Sequence, residues 1–412
     1  MSPRWMAALL LPALLCAGAH AEDWPQFRGP TGQGHSTEVG LPVEWSESRN
    51  VLWKTSVAGD GWSSPVVAGG RVWLTTAVDG GGVSLRALAF DVETGSEVVN
   101  REVFRLEDAL LLNPKNSHAS PTPIVEGDVV YVHFGADGTA ALTTAGEILW
   151  TTRLPYRSQH GNGGSSTLYG DLLIVSCDGS DAAFVAALDK RTGEIRWKTP
   201  RRHPAAQAYS TPLVIRVAGR DQLISIGAFR VTAYEPLSGE EIWRASYGDG
   251  FSNVPSPVYG HGLVYVATGF QVPSLLAVRP NGRGDVTRTH VAWTMGRGAP
   301  HTPSPLLVGD ELYVVSDMGI ASCLNAKTGE THWQQRLGGN HSASPVFADG
   351  RIYFQSEAGT TTVIAPGTTF RRLATNELNG ATLASMAVSD GSIFLRSRNH
   401  LYRIGARQSS RE

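Results

Sequence analysis

Residues 187–197 read Ala-Leu-Asp-Lys-Arg-Thr-Gly-Glu-Ile-Arg-Trp, and the rest of the chain can be interpreted outward from them. An apolar strand precedes the Thr-Gly turn, and the strand after the turn carries the tryptophan. Looser copies of the same unit end at Trp243 and Trp333. A repeat of roughly 40–50 residues with four strand signals is typical of a propeller blade. The unit therefore predicts an all-β chain made of radially arranged sheets.

Eight copies of the unit begin with a small residue, which in most copies precedes a proline. The predicted blade openings are Ser64-Pro65, Thr122-Pro123, Ser166-Thr167, Thr211-Pro212, Ser256-Pro257, Ser304-Pro305, Ser344-Pro345 and Ser385-Met386. A short run rich in β-branched residues follows each opening, and a tight turn then leads to a second apolar run. Such runs between turn residues indicate strands. The sequence thus predicts an eight-bladed β-propeller with four antiparallel strands in each blade.

The eighth copy lacks a fourth strand, because the chain turns polar soon after Ile404. A spare strand with its own tryptophan, Val51-Leu52-Trp53-Lys54, stands before the first opening. We predict that this strand completes blade 8, since closing the ring removes two exposed sheet edges. The propeller domain then spans residues 51–405, with an N-terminal extension at 22–50 and a polar tail at 406–412.

A tryptophan on the fourth strand is expected to fill the wedge between neighbouring blades. The positions are Trp150, Trp197, Trp243, Trp293 and Trp333. Val99 replaces the tryptophan in blade 1, and blade 7 has no counterpart, so those two seams should be looser or filled differently. Residues 101–118 also break the rhythm of the repeat, and within them we predict a short helix from Glu102 to Leu112.

The N-terminus has the features of a secretion signal. Arg4 precedes an apolar run too short to span a bilayer, and Ala19-His20-Ala21 is a small-x-small cleavage site. We therefore predict a signal peptide at 1–21 and an exported protein, periplasmic or extracellular. The net charge of −2, or −3 without Arg4, provides no basic surface for nucleic acid. No later segment is long and apolar enough for membrane insertion, and we expect a monomer.

The predicted mature chain keeps two cysteines, Cys177 and Cys323, which fall in different blades at different strand positions. We expect two buried thiols and no disulfide. The chain has no Cys-x-x-Cys, His-Glu-x-x-His, Gly-x-Ser-x-Gly or phosphate-binding loop motif. The sequence therefore gives no support for zinc-ribbon, metalloprotease, serine-hydrolase or nucleoside-triphosphate chemistry.

One face of the predicted ring collects polar and aromatic side chains, and we call it the mouth face. Strand direction alternates within a blade, so the links before each first strand share this face with the links between second and third strands. The predicted ligand-binding residues are Trp62, His118, His160, Asn162, Asp178, Tyr209, Asn253, His301, Asn340 and His341. Because binding sites lie on loops held by a rigid scaffold, we interpret the mouth face as the functional face.

Trp62 and Tyr209 would provide stacking area, while the histidines would donate hydrogen bonds and make binding sensitive to pH. The four histidines occupy opposite sides of an eight-membered ring, so they are too far apart to share one zinc ion. A site of two histidines and one carboxylate on the same side stays open. For each polar residue taken alone, capping of a strand end is the alternative interpretation.

The unit at residues 187–197 resembles the tryptophan-docking repeat of the pyrroloquinoline-quinone (PQQ)-like β-propellers, and the likeness covers essentially the whole mature chain. The opening Trp24-Pro25-Gln26-Phe27-Arg28-Gly29-Pro30 is similar to that of a secreted bacterial subgroup of unsettled activity. Fold and function separate in such superfolds. The resemblance therefore implies the propeller fold and leaves more than one role open.

Two branches of the family imply different functions. Quinoprotein alcohol dehydrogenases hold PQQ and a calcium ion in the channel mouth, where the quinone stacks on a tryptophan and an adjacent-cysteine disulfide. This chain has no adjacent cysteines. The non-catalytic branch includes the propeller lipoprotein of the outer-membrane β-barrel assembly machine, whose loops contact protein partners. This chain matches that protein in size and blade count but lacks the lipid-attachment signal.

We favour a non-catalytic binding or scaffold protein without a cofactor, whose mouth face holds a protein partner or a small polar ligand. The alternative is a PQQ- and calcium-dependent alcohol dehydrogenase, in which a carboxylate at the mouth would act as the base. A second alternative is a carbohydrate-binding or carbohydrate-processing protein, because aromatic and acidic groups share one face.

Overall fold

Eight sheets surround a central channel in the computed structural model of the chain. The structure describes residues 22–110, 112–201, 206–271 and 273–406, so the predicted signal peptide and nearly all of the predicted polar tail lie outside it. Seven sheets have four strands and one has five. The predicted eight-bladed, all-β architecture is therefore confirmed. Within the described ranges, no helix has the length and apolar character needed to span a bilayer.

The four strands of each blade run outward from the channel. In blades 1 to 4 they are Val66–Ala68, Arg71–Asp79, Val83–Asp91 and Glu97–Leu106; Ile124–Glu126, Val129–His133, Thr139–Thr143 and Ile148–Thr152; Thr167–Tyr169, Leu172–Asp178, Ala183–Asp189 and Ile195–Pro200; and Leu213–Val217, Arg220–Gly227, Arg230–Tyr234 and Glu241–Ser246. In blades 5 to 8 they are Val258–Gly260, Leu263–Ala267, Leu275–Val278 and Val291–Met295; Leu306–Val308, Glu311–Val315, Ile320–Asn325 and Thr331–Arg336; Val346–Ala348, Arg351–Gln355, Thr360–Ala365 and Arg371–Glu377; and Ala387–Ser389, Ser392–Arg396, His400–Gly405 and Val51–Ser56. The second and third strands are apolar and buried because each blade packs between two neighbours.

The ring closes as the sequence predicts. Val51–Ser56 pairs antiparallel with His400–Gly405, and Val51 lies opposite Ile404. The N-terminal strand is thus the fourth strand of blade 8, and no edge of that sheet is left without its outer neighbour.

Tryptophans on fourth strands join five of the blades to the next blade. Five indole N–H groups donate to carbonyl oxygens at the Thr-Gly turn or its equivalent in the following blade, and the bonds are Trp53 to Val92 (2.9 Å), Trp150 to Lys190 (3.1 Å), Trp197 to Pro236 (3.0 Å), Trp293 to Ala326 (3.0 Å) and Trp333 to Gly367 (3.0 Å). The turn glycine is required on two counts. Gly193 has a φ of +75°, and a Cβ there would lie 2.5 Å from the Trp150 ring.

The remaining seams are filled differently, as expected for blades 1 and 7. Val99 of blade 1 packs closely on Gly146 of blade 2. A Cβ added to Gly146 would lie 2.8 Å from the side chain of Val99. At the seam of blades 7 and 8, Trp45 from the N-terminal extension stacks on Tyr353, with ring centroids 6.2 Å apart. Trp243 instead bonds Gln222 of its own blade, and the inserted strand Gly284–Asp285 runs alongside it.

The short helix predicted from Glu102 to Leu112 is wrong. The outer strand of blade 1 continues to Leu106, and Ser84 and Arg86 of the neighbouring strand donate to the side chains of Glu102 and Asn100 within it. In the described part of the chain the only helical element is a 3-10 turn at Gly135–Asp137. Pairing with a buried neighbouring strand outweighs the weak local helical pattern.

The N-terminal extension runs through the channel at the end away from the mouth. Trp24 exchanges two backbone hydrogen bonds with Val67 of blade 1 (2.7 and 2.9 Å), and Pro25 accepts one from Val125 of blade 2 (2.9 Å). On the other side, the backbone N–H of Phe347 in blade 7 donates to the Gly34 carbonyl (2.8 Å), and the Phe347 carbonyl accepts from the Ser36 N–H (2.9 Å). The extension therefore pairs with the inner strand edges of the ring, which would otherwise be exposed.

Cys177 and Cys323 are both buried and unpaired, as predicted. Burial raises the pKa of both thiols, that of Cys323 to about 11. Both therefore remain protonated at neutral pH, in keeping with a packing role.

Candidate functional site: the cavity at the channel mouth

A cavity of about 820 Å³ occupies the channel on the mouth face. Its walls come from the links that precede the first strands, as the alternation of strand direction requires. Its floor includes Phe27 of the N-terminal extension. Arg28, next in the chain, is buried behind Phe27 and donates from Nη2 to the Pro305 carbonyl (2.7 Å) and to the Gln33 carbonyl (2.9 Å). Burial lowers the pKa of Arg28 to about 9, so it stays charged at neutral pH.

A ring of hydroxyl groups encircles the cavity at the blade openings. In seven of the eight neighbouring pairs of blades, the backbone N–H of one opening residue donates to the hydroxyl of the next. The bonds run from Ser64 to Thr122 (3.0 Å), Thr122 to Ser165 (2.8 Å), Ser165 to Thr211 (2.9 Å), Ser256 to Ser304 (2.9 Å), Ser304 to Ser344 (3.0 Å), Ser344 to Ser385 (2.9 Å) and Ser385 to Ser64 (3.1 Å). We call these residues the hydroxyl ring.

One blade opening differs from the sequence prediction, and the ring of hydrogen bonds is interrupted at one place. In blade 3 the opening residue is Ser165, one position before the predicted Ser166, because the strand begins at Thr167 and no proline marks the position. Between blades 4 and 5 the link is replaced by Ser210, whose hydroxyl donates to the Pro255 carbonyl (2.8 Å). The Ser256 hydroxyl is buried and has no partner among the described residues.

Aromatic side chains line two opposite sides of the cavity. Trp62 stands before blade 1, whereas Tyr209 and Phe251 stand before blades 4 and 5. Phe270 packs edge-on against Phe251, with centroids 5.7 Å apart, and leaves half of its own surface exposed. The cavity thus offers flat apolar surface on either side of the channel axis.

The ionisable groups at the wall are held in internal contacts. Asp317 accepts hydrogen bonds from the backbone N–H of His301 (2.7 Å) and Thr302 (3.3 Å), and from the Thr302 hydroxyl (2.7 Å). This carboxylate therefore fixes the loop that presents His301. His160 faces the same space, and its backbone carbonyl accepts from Asn116 (2.7 Å).

The link between blades 1 and 2 reaches along the mouth, past blade 8, to blade 7. Lys115 in this link forms an ion pair with Glu357 of blade 7, with Nζ and Oε1 2.8 Å apart. Glu357 also accepts from the Ser342 hydroxyl (2.6 Å). The cavity is therefore partly covered by a loop that is anchored on blade 7.

The structure brings four of the ten predicted ligand-binding residues to this cavity: Trp62, His160, Tyr209 and His301. Two others, His118 and Asn162, line a second cavity of about 910 Å³ between blades 2 and 3. There Asn162 donates to the Phe134 carbonyl (2.7 Å) and accepts from the Tyr156 hydroxyl (3.0 Å), while His118 lies 3.9 Å from Asp137. Both remain on the mouth face, beside the main opening.

The other four predicted residues line neither cavity. Asp178 is buried, and its carboxylate lies 2.7 Å from the guanidinium of Arg201. Burial raises the pKa of Asp178 to about 6, although the positive charge of Arg201 acts in the opposite direction. Both groups of the pair are therefore ionised at neutral pH. Asn253 is buried and its carbonyl accepts from Tyr209 (2.6 Å). Asn340 lies exposed at the rim.

His341 is buried beneath the rim, and burial lowers its pKa to about 4. Its ring therefore stays neutral at physiological pH. The pH sensitivity expected for the group of four histidines does not extend to His341.

A calcium ion with PQQ, as in the quinoprotein branch, does not fit the donor groups at this cavity. Asp317 is the carboxylate that lines it, and three internal donors already occupy its oxygens. Calcium prefers six to eight oxygen ligands with several carboxylates. Across the described ranges, no group of three or more His, Cys, Asp or Glu side chains is arranged to hold a metal ion.

Several lining residues were missed by the sequence prediction. Phe27 belongs to a non-repeated segment, so the repeat frame gave it no position. Phe251 stands two residues before the predicted Asn253, and an aromatic residue so close to a blade opening was a usable signal. The small residues at the blade openings are the sequence signal for the hydroxyl ring, since each of them carries a hydroxyl group and stands just before a first strand.

Comparison with known families and structures gives consistent results. The chain matches the family model described as outer membrane protein assembly factor BamB in three overlapping stretches, residues 35–163, 117–271 and 227–369. A comparison with curated proteins found no match.

Among solved structures, the chain is similar to the crystal structure of BamB from Moraxella catarrhalis, with a TM-score of 0.62 and 14% sequence identity over 88% of this chain and 99% of that one. It is also similar to the computationally designed Ika8 protein, with a TM-score of 0.58 and 10% identity over 89% of this chain and 100% of that one. At these identities the likeness concerns the fold alone.

Proposed function

The chain belongs to the family of the outer membrane protein assembly factor BamB, and on that premise we propose that it is an exported, non-catalytic scaffold whose mouth face binds a protein partner. The family's description names outer-membrane protein assembly, and we propose a partner of that class for this chain. The N-terminal signal predicted from the sequence would deliver the protein to the periplasm, where such a partner is found.

The observation that carries the proposal is the exposed apolar surface of the mouth face, where Phe270 lines the mouth cavity and Leu110 lines the second cavity. Leu110, Phe270 and Met318 are each more than half exposed and lie on three separate links of the mouth face. Aromatic side chains and methionine are enriched in protein interfaces, where they fill pockets on a partner. The mouth cavity beside Phe270 can accept a projecting side chain or loop, because it is open at this end and has Phe27 at its floor.

A pair of positions on neighbouring blades provides a matched test. Phe270 lies on the mouth face of blade 5, and Leu237 lies at the Thr-Gly-type turn of blade 4 on the opposite face, with 52% and 64% of their surfaces exposed. A photo-cross-linking amino acid at position 270 of the full chain, in the cells that produce it, should capture a defined outer-membrane or periplasmic protein. The same group at position 237 should capture none.

The contribution of the cavity wall is tested by a triple variant, Trp62→Ala, His160→Ala and His301→Ala. Cross-linking from position 270 should be lost while the melting temperature changes by less than about 3 °C, because all three side chains stand in loops at the wall. Equal capture from both faces would contradict the proposal. A fall in the melting temperature that parallels the lost capture would assign these residues a structural role instead.

A further inference from the structure

Beyond the protein partner at the rim, we propose that the mouth cavity is a binding site for a neutral saccharide of one to three sugar units. The inference rests on the polar groups that the cavity leaves uncommitted, the placement of its aromatic rings and the state of its charged groups. It does not depend on which protein occupies the rim.

The hydroxyl ring supplies donors that the protein itself does not use. Six of its members line the cavity and are at most 5% exposed: Ser64, Thr122, Ser165, Ser304, Ser344 and Ser385. Each of these hydroxyl oxygens accepts a backbone N–H from the preceding blade. None of the six donates its own proton to an acceptor in the described chain. A buried donor without an acceptor costs about 1–3 kcal/mol unless water or a ligand accepts the bond.

A ligand that satisfies these donors must present acceptor oxygens around its perimeter. A single small anion at the axis cannot do so, because donors spread over an eight-bladed ring are too far apart to converge on one atom. Sugar rings carry hydroxyl and ether oxygens on their whole edge, and their hydroxyls can also donate. The imidazoles of His160 and His301, both at the wall, can accept such hydrogen bonds.

The aromatic residues add the second feature of a saccharide site. Trp62 faces the cavity from blade 1, and Tyr209 and Phe251 face it from the opposite side of the ring. The apolar C–H faces of a sugar bury favourably against flat rings, while its edges remain free for hydrogen bonds. The cavity volume of about 820 Å³ lies within the range of small-molecule sites.

The charged groups favour a neutral ligand over an ionised one. Asp317 is saturated by internal donors, and Lys115 is paired with Glu357. The guanidinium of Arg28 is buried behind the floor and is not part of the lining. An ionised ligand would therefore lose its hydration without gaining a counter-charge in contact with it.

The test is calorimetric titration of the full mature chain with maltose, cellobiose and N,N′-diacetylchitobiose. At least one should bind with a dissociation constant in the micromolar to low millimolar range. Trp62→Ala should weaken that binding at least tenfold, and Leu237→Ala, an exposed residue on the opposite face, should leave it unchanged. Ser344→Ala should weaken it about threefold or more, whereas Ser256→Ala should not, because Ser256 is absent from the cavity lining.

Two comparison ligands decide the chemical class. A glucuronate-containing disaccharide of the same size should bind at least tenfold more weakly than its neutral counterpart, and a capped Ser-Gly-Ser peptide should not bind. Failure of all three neutral disaccharides with a correctly folded chain would overturn the proposal, as would tighter binding of the acidic sugar or of the peptide. Both proposals use Trp62, but sugar binding is measured by titration and partner capture by cross-linking from position 270, so either proposal can fail while the other stands.

Discussion

The two ends of the channel are built from the same eight blades, yet different segments of the chain line them, and only one end is open. The mouth end is made of links between repeated strands, so each blade contributes one opening hydroxyl and one loop. The far end is closed by the N-terminal extension, whose Trp24 pairs with blade 1 and whose Gly34 and Ser36 pair with blade 7. One end is thus open and chemically varied, and the other is sealed by packing. Side chains at the far end should therefore determine stability, and those at the mouth should determine binding.

The largest expected effect comes from Trp24→Ala at the sealed end. Trp24 is fully buried and packs on Gly29, and its removal should lower the free energy of unfolding by about 3–5 kcal/mol. Trp62→Ala at the mouth removes a ring of the same size from a half-buried loop position and should cost much less, about 1 kcal/mol. Urea unfolding of both variants measures the difference. Equal losses would remove the distinction between the two ends.

The hydroxyl ring provides a smaller effect with an internal control. Ser344→Ala leaves the buried N–H of Ser304 without its acceptor and should cost about 1–3 kcal/mol. Ser256→Ala removes a hydroxyl that has no partner in the described structure and should be nearly neutral. The same urea experiment compares them. A larger loss for Ser256→Ala would show that the ring bonds do not stabilise the blade openings.

Two buried histidines near the mouth should make stability depend on pH. Burial lowers the pKa of His133 and of His341 to about 4, while an unfolded histidine has a pKa near 6.5. Below about pH 6.5 these histidines take up protons in the unfolded chain but remain neutral in the folded chain. The free energy of unfolding therefore falls as the pH drops toward 4. Each histidine should contribute roughly 1–2 kcal/mol of this loss between pH 6.5 and 5.

His133→Asn should flatten this pH dependence, measured by urea unfolding at pH 7.5, 6 and 5, whereas His332→Gln at an exposed site should not. Asp178 acts in the opposite direction, because burial raises its pKa to about 6 and the folded state takes up its proton first as the pH falls. Asp178 is present in both proteins, so the difference in pH dependence between the unchanged protein and His133→Asn measures the contribution of the histidine alone. An unchanged slope in His133→Asn would contradict the assignment.

The smallest effect is expected at the ion pair across the mouth. Glu357→Gln should change the free energy of unfolding by less than about 1 kcal/mol, because Lys115 is half exposed. Hydrogen exchange in the link between blades 1 and 2 should nevertheless become faster, since the loop loses its anchor on blade 7. Glu330→Gln, at an exposed site in blade 6, serves as the control. Unchanged exchange would show that the loop is held by other contacts.

Most of the fold was predictable because it is repeated. The strands, the Thr-Gly turns and the closing strand Val51–Ser56 all follow from hydrophobic pattern and turn residues, which are local properties of the sequence. The error at Ser165 shows the limit of this approach, since blade 3 lacks the proline that marks its neighbours. The helix predicted from Glu102 failed because strand pairing, which is not local, decides that segment.

The site was only partly predictable, because it depends on contacts between distant segments. The repeat correctly placed Trp62, His160, Tyr209 and His301 around the cavity, since their offsets from the blade openings are nearly equal. Asp178 was expected at the same face from the link between the second and third strands of blade 3, but it is held inside the protein by Arg201, a partner that the repeat does not reveal. Phe27 lies in a segment without a repeat counterpart, so only the three-dimensional structure assigns it to the floor.

Blade 8 also constrains the order of events during biosynthesis. Val51–Ser56 is made before every other strand of the propeller, yet its partner, His400–Gly405, is made last. Until the ribosome has delivered both, the nascent arc presents two unsatisfied edges that invite aggregation, and joining them requires contacts of the longest possible sequence separation. A truncation that removes either Val51–Ser56 or His400–Gly405 would therefore disable the same sheet and leave the chain dependent on chaperones that bind unfolded proteins.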